Sequence, residues 1–296
     1  MPEPTGLLLG LSAAFVWGVA DLVGTLAGRR IGSLRTTAIA DLASLAVLAV
    51  LFAATGARLP DDPAISMGAL AIGALAGLAY LAFYTALRHG PLSVVSPVVS
   101  LYGGLTVVLA VIIQGEQLTA AQAIGAIVAT AGVALVGVQF ERDWRRTRLV
   151  GPGVAFGLVS LVAFAVVTVG LSGPIRLAGW LPVLLLSRVG NTGLILVMLG
   201  LRPLAPVPTP GSPQAAALGR RAVGEASLTG LLDVAGSACW AVGLAIASTW
   251  LIGLTSSFGP VVAVVAGVAV LGERPRALQW VGLGLVAVSV VLIGLG

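Results

Sequence analysis

Lysine is missing from this 296-residue chain, and cysteine and histidine occur once each, as Cys239 and His89. A lone cysteine inside an apolar run excludes disulfides and thiolate metal sites, and one histidine gives no basis for a histidine metal centre. No Gly-x-x-x-x-Gly-Lys-[Ser/Thr] phosphate loop is present, which excludes ATP-driven pumping of that kind. No cofactor and no metal are therefore expected. Charge is scarce as well: 9% of residues are charged and 58% hydrophobic, with a mean hydropathy of +1.08. A soluble domain carries about 25% charged residues, so an ordinary soluble fold is excluded. The net charge of +5 comes from 16 arginines against 11 acidic residues. Those arginines sit mainly in loops rather than in a patch, which argues for a topology signal and against a nucleic-acid partner.

What remains is a succession of apolar runs, each near the roughly 20 residues that cross a bilayer. Spans are expected near 6–27, 36–56, 66–88, 91–113, 119–138, 151–171, 179–201, 226–247, 249–271 and 277–295. Short alternating segments of the kind that build barrels are absent, and helices are the other way to satisfy backbone hydrogen bonds in lipid. The first run lacks a basic segment before it and is long enough to be retained as a span rather than cleaved. The longest hydrophilic stretches, 140–150 and the proline-rich 202–225, are too small for a catalytic domain.

One motif occurs twice. Gly115-Glu116 recurs as Gly272-Glu273, 157 positions on (273 − 116), and Ser100, Val107, Val108, Val111, Ala120, Gln122, Gly125, Leu135 and Gly137 recur at the same offset. Phe83 then stands opposite Trp240, while an offset of 147 sets Trp17 opposite Phe164 (164 − 17) and Asp21 opposite Thr168. The expected fold is an all-α integral membrane protein of ten transmembrane helices arranged as two five-helix repeats, 1–139 and 151–296. Five crossings per copy invert the second copy, which places a substrate region near the midplane between halves. Both Glu116 and Glu273 open a helix after a glycine, where a carboxylate can cap free N–H groups. They are expected as structural turn residues on opposite membrane faces.

Asp21, Asp41, Arg188 and Asp233 fall inside spans, where each charge costs about 2.5–3.5 kcal/mol on insertion scales. Two readings stand for Asp21 and Asp41: pairing with Arg29, Arg30 or Arg35 at the interface, or service as a proton or cation site. Asp233 is a third candidate for proton coupling and equally a structural partner of Arg188. Arg188, with Asn191 one turn on, is a candidate substrate contact. Trp17, Tyr80, Phe83, Tyr84, Tyr102 and Trp240 lie well inside spans and could line a pocket for an amphipathic or aromatic molecule. Trp144, Trp180, Trp250 and Trp280 sit near span ends and suit an interfacial belt.

The segment YTALRHGPLSVVSPVVSLYGGLTVVLAVIIQGEQLTAAQAIGAIVATAGVALV, its looser second copy SSFGPVVAVVAGVAVLGERPRALQWVGLGLVAVSVVLIG, and the AFVWG of span one resemble the EamA-like branch of the drug/metabolite transporter superfamily. That resemblance implies a ten-helix inverted-repeat carrier of small metabolites or drugs in the cell membrane. The second copy departs from it, with Leu254 opposite Pro97 and Pro260 supplying a nearby break. The leading expectation is a secondary transporter whose partners are the lipid bilayer, a small-molecule substrate and protons. The competing classes are a non-transporting or receptor-like membrane subunit and a membrane-embedded enzyme. For the enzyme, no convergent catalytic group is present.

Thirteen arginines lie in loops after odd-numbered spans, and two, Arg58 and Arg176, in the other loops. The positive-inside rule puts the first set in the cytoplasm and both termini outside, whereas the resemblance implies cytoplasmic termini. The charge distribution predicts a cytoplasmic reporter at residue 145 and an external one at residue 296. A cytoplasmic signal from residue 296 in topology fusions would overturn it.

Overall fold

In lipid a helix satisfies its own backbone, and a chain this apolar has little else to form. The computed structural model describes residues 3–89, 95, 98–137, 152–201, 213–262, 265 and 276–295. Among the described residues there are ten helices and no strand. They are α1 (Glu3–Ile31), α2 (Ser33–Thr55), α3 (Pro63–His89), α4 (Tyr102–Gln114), α5 (Ala120–Gly137), α6 (Pro152–Ala178), α7 (Trp180–Leu201), α8 (Pro213–Ile246), α9 (Thr249–Ser256) and α10 (Ala277–Leu295). Eight of these, all but α4 and α9, are long and apolar enough to cross a membrane. The remaining two belong to shorter apolar helices, Val98–Gln114 and Thr249–Val262. Glu273, Pro97, Trp144 and the junction at 140–150 lie outside the described residues.

The turns follow from glycine. A single residue, Gly32 at φ 87°, joins α1 to α2, and a single residue, Gly179 at φ 89°, joins α6 to α7. Both angles lie in the region that side chains disfavour, so the chain reverses there at the least cost. The two glycines are 147 positions apart (179 − 32), the offset that aligns spans one and six.

Helices of the two halves pack on one another. α1 runs along α8 and α3 along α6; α2 meets both α7 and α8, and α3 meets α7; α4 crosses α9, and α5 pairs with α10. Lipid tails are as apolar as leucine, so such contacts depend on close van der Waals fit and small residues. At two crossings the fit is backbone to backbone. A Cβ on Gly73 would stand 2.0 Å from the Ser187 carbonyl oxygen, and one on Gly230 would stand 2.2 Å from that of Ala40. Gly73 and Gly230 differ by 157 (230 − 73), and Ala40 and Ser187 by 147 (187 − 40).

Two buried clusters result. One joins Leu48, Leu171, Ile175, Leu184, Trp240 and Leu244 from α2, α6, α7 and α8. The other joins Ala110, Val133, Trp250, Leu254, Phe258 and Val286 from α4, α5, α9 and α10 with the α9 extension. α1 contributes Ala13 to the first and Ala14 to the second. Trp250 corrects the expectation of an interfacial belt: it is 1% exposed and belongs to the second cluster, whereas Trp280 is 56% exposed and fits the belt. Span-end position does not separate lipid-facing from helix-facing tryptophan when the neighbouring helix covers the site.

Gly230→Val is expected to destabilise the protein by about 1–3 kcal/mol through overpacking. Gly68→Ala, with nothing within 4 Å of the new Cβ, is expected to be neutral. Thermal unfolding in detergent measures both.

Candidate functional site

Arg188 on α7 is the centre of a charge cluster between the halves. Its Nη1 donates to Asp41 Oδ1 of α2 at 3.1 Å, and its Nη2 donates to Asp233 Oδ2 of α8 and to Ser237 Oγ at 3.2 Å. Arg188 is 7% exposed and Asp41 5%, so the pairing is made inside the bundle. Burial leaves a guanidinium tolerable only when its charge and donors are met, and two carboxylates meet them. Asn191, one turn along α7, reaches Asp41 Oδ1 with Nδ2 at 3.5 Å. Ser44 on α2 donates to the Gly230 carbonyl at 2.8 Å and stands 3.5 Å from Asp233 Oδ2. Asp41 therefore does not reach the interfacial arginines; it holds Arg188.

From this cluster a loose ring of polar and aromatic side chains extends. The Trp17 indole N–H points at the Asp233 carbonyl at 3.4 Å, and Trp17 stacks near Trp240 with ring centroids 6.4 Å apart. Tyr80 lies in electrostatic range of Arg188 and meets Phe164 edge-on at 5.1 Å. Phe164 in turn meets Tyr102 at 5.8 Å, and the Tyr102 hydroxyl is 3.2 Å from Ser256 Oγ. Asp21 lies one helical turn from Trp17 and interacts electrostatically with Tyr102 and Asp233.

Asp21 is solvent-accessible, yet it does not face lipid. The lipid stripe of α1 is Leu8, Phe15, Leu22 and Leu26, all 48–65% exposed. Asp21 stands about 120° round the helix from that stripe. Gly18, on the arc between them, is closed off by Val262, which would lie 3.0 Å from a Cβ placed there.

Glu116 is placed differently from the expectation. Its carboxylate accepts the N–H groups of Thr249 at 2.8 Å and Trp250 at 2.9 Å, so it caps α9 rather than the helix that follows it. α5 is started by a reciprocal capping box, Thr119 N–H to Gln122 Oε1 at 3.0 Å and Gln122 N–H to Thr119 Oγ1 at 3.2 Å. Arg176, near the end of α6, donates to Glu116 at 3.2 Å, to the Leu244 and Ala247 carbonyls at 3.1 and 2.9 Å, and to Thr249 Oγ1 at 3.0 Å. Gln114 donates to the Val169 carbonyl at 3.0 Å and to Ser172 at 2.7 Å. These bonds fasten the two buried clusters together at the end of the bundle where α4 stops and α9 begins.

Of the residues singled out from sequence, Trp17, Asp21, Tyr80, Tyr102, Arg188, Asp233 and Trp240 come together around the ring, with Asp41 and Asn191 behind Arg188. The Tyr84 side chain and Glu273 lie outside the described residues. Sequence reasoning missed Ser237, Ser44, Gln114 and Arg176. Asp41 and Arg188 occupy matching positions at the 147 offset (188 − 41), which aligns the two residues but does not by itself signal a contact.

These features define a multi-pass, all-helical integral membrane protein with a polar and aromatic site enclosed by its two halves. Residues 4–138 match the model of the EamA-like transporter family, within the drug/metabolite transporter superfamily, so the resemblance read from the sequence holds over the first five helices. The match points to a membrane transporter, and members of that family are transporters rather than enzymes. No curated protein matches the chain. A solved structure described as "Crystal structure of protein" superposes with a TM-score of 0.73 at 21% identity, covering 99% of this chain and 98% of that one. At that identity the likeness is one of fold.

Arg188→Gln leaves the buried Asp41 and the part-buried Asp233 without their cation and is expected to cost about 3–5 kcal/mol. The triple change Asp41→Asn, Arg188→Gln, Asp233→Asn is expected to recover much of that loss. Yield of monodisperse protein and melting temperature report both.

Proposed function

We propose that the protein is a secondary transporter of small metabolites, amino-acid-like or drug-like, in the cell membrane, working by alternating access between two inverted five-helix repeats. The observation that carries this reading is the ring itself: ionisable and aromatic, and built from helices of both halves. The repeat is supported by contacts that recur at the same two offsets, Gly32 with Gly179 and Gly73–Ser187 with Gly230–Ala40. Exchanging the halves also exchanges α1·α8 with α3·α6 and α2·α8 with α3·α7, both of which are made. The two buried clusters supply bodies that can rock about the ring, with α1 shared between them.

Substrate contacts are assigned to Trp17, Tyr80 and Tyr102, with Trp240, at 6% exposure, backing Trp17 rather than lining the space. Arg188 and Asn191 are assigned to holding the halves together. Coupling is assigned to Asp21, which is more exposed than Asp41 or Asp233. Asp41 contributes a second protonation site: its Oδ2 and the Asn191 Oδ1 are buried acceptors with no hydrogen-bond donor among the described residues. A proton on Asp41 Oδ2 would turn that unsatisfied acceptor into a donor.

A metabolite panel in proteoliposomes, with and without a pH gradient, tests this function. Gradient-driven accumulation is expected for at least one compound, abolished by a protonophore and by Asp21→Asn. Transport by Asp21→Asn with the pH dependence of the unaltered protein would remove Asp21 from coupling, and a folded protein that moves nothing would favour a non-transporting subunit.

A further inference from the structure

We propose that the lipid-facing seam between α1 and α8 binds one anionic phospholipid, its phosphate held by Arg30 and Arg221 and its acyl chains against Leu26 and Leu228. The site lies on a different face of the molecule from the ring, and it stands whether or not the protein transports anything.

The two helices run side by side in opposite directions. A Cβ on Gly24 would meet Thr229, one on Gly236 would meet Trp17, and one on Gly243 would stand 3.5 Å from Leu9. That register brings the last turn of α1 beside residues 221–225 of α8. There Arg30 Nε stands 3.1 Å from Glu225 Oε2, and Arg221 Nε donates to Glu225 Oε1 at 3.1 Å. Arg221, Glu225 and Leu228 are spaced i, i+4, i+7 along one stripe of α8, and Leu26 and Arg30 are spaced i, i+4 along one stripe of α1. The Arg30–Glu225 pair shows that these stripes adjoin. Leu26 is 48% exposed and Leu228 46%, so the seam is a run of lipid-facing leucine that ends in arginine.

Charge and donor geometry decide the occupant. Three guanidiniums, Arg30, Arg220 and Arg221, stand at this end against one carboxylate, Glu225. Both paired arginines reach Glu225 through Nε, and none of their Nη nitrogens makes a hydrogen bond or ion pair with a described residue. The Nη groups carry most of a guanidinium's donors. Glu225 thus orients two forks and leaves their outer edges unengaged. The Arg221 side chain is 70% exposed and that of Arg30 28%, so both can be met from the headgroup layer. A planar fork matches two phosphate oxygens at once, which a point charge does not. A zwitterionic lipid brings its own cation into this surplus of positive charge, whereas an anionic one does not. Arginine that only marks the side of the membrane needs no such shared carboxylate. Because Arg30 belongs to the first half and Arg221 to the second, the lipid bridges the halves along α1, the helix that contributes to both buried clusters.

The test is native mass spectrometry of the purified full-length protein in detergent. Dioleoylphosphatidylglycerol and dioleoylphosphatidylcholine, alike in their chains and different in charge, are added at equal concentration. Phosphatidylglycerol is expected to be retained at least fivefold over phosphatidylcholine, and to raise the melting temperature where phosphatidylcholine does not. Arg30→Gln combined with Arg221→Gln is expected to abolish that preference. Arg221→Gln alone is expected to lower it at least twofold, and it decides if the double variant does not fold. Arg58→Gln, in the exposed loop between α2 and α3, is expected to leave the preference unchanged. Equal retention of the two lipids, a preference that survives the arginine variants, or an equal loss with Arg58→Gln would overturn the proposal. The same rise in melting temperature from inorganic phosphate would also overturn it, since the site would then be one for the free anion.

Discussion

A guanidinium in the middle of a helical membrane bundle is stable only where carboxylates surround it, and Arg188 draws its two from different helices. Asp41 comes from α2 in the first half and Asp233 from α8 in the second. Meeting that requirement fixes how α2, α7 and α8 cross, because three side chains must converge at bonding distance. The backbone contact between Gly230 and Ala40 belongs to the same crossing of α2 and α8. The ring of polar and aromatic groups is the open side of this charge cluster.

Much of the fold could be read from the chain because lipid leaves helices as the dominant solution, and apolar runs of the right length define them. The recurring Gly-Glu pair suggested two copies, although its second occurrence lies outside the described residues. The site was partly legible for a related reason: ionisable residues inside spans are few, so Asp21, Asp41, Arg188 and Asp233 stood out individually. Which of them paired was not legible, since Arg188 and Asp41 are 147 residues apart and meet only through a helix crossing.

Glu116 shows where local rules stop. A carboxylate before a helix ordinarily caps that helix, yet α5 has its own capping box in Thr119 and Gln122. The glutamate is thereby released to cap α9, whose Ser248 N-cap makes no side-chain hydrogen bond of its own. Trp250 differs from expectation for a connected reason. The α9 start that Glu116 secures sits against α4 and α1, which cover the indole that sequence position assigns to the interface.

The capping of α9 from a distance bears on how the protein is made. Glu116 and the start of its acceptor helix are separated by 133 residues, and Asp41 is separated from Arg188 by 147. During synthesis the first five helices enter the membrane with Asp41 and Glu116 still lacking these partners. Emerging alone, that half holds an intramembrane carboxylate with no cation, and α6, α7 and α8 must all be translated before α9 appears. Insertion of the early helices is therefore provisional, and the late ones complete it. A chain truncated after the first half would leave the membrane quality-control machinery with an exposed intramembrane charge to recognise.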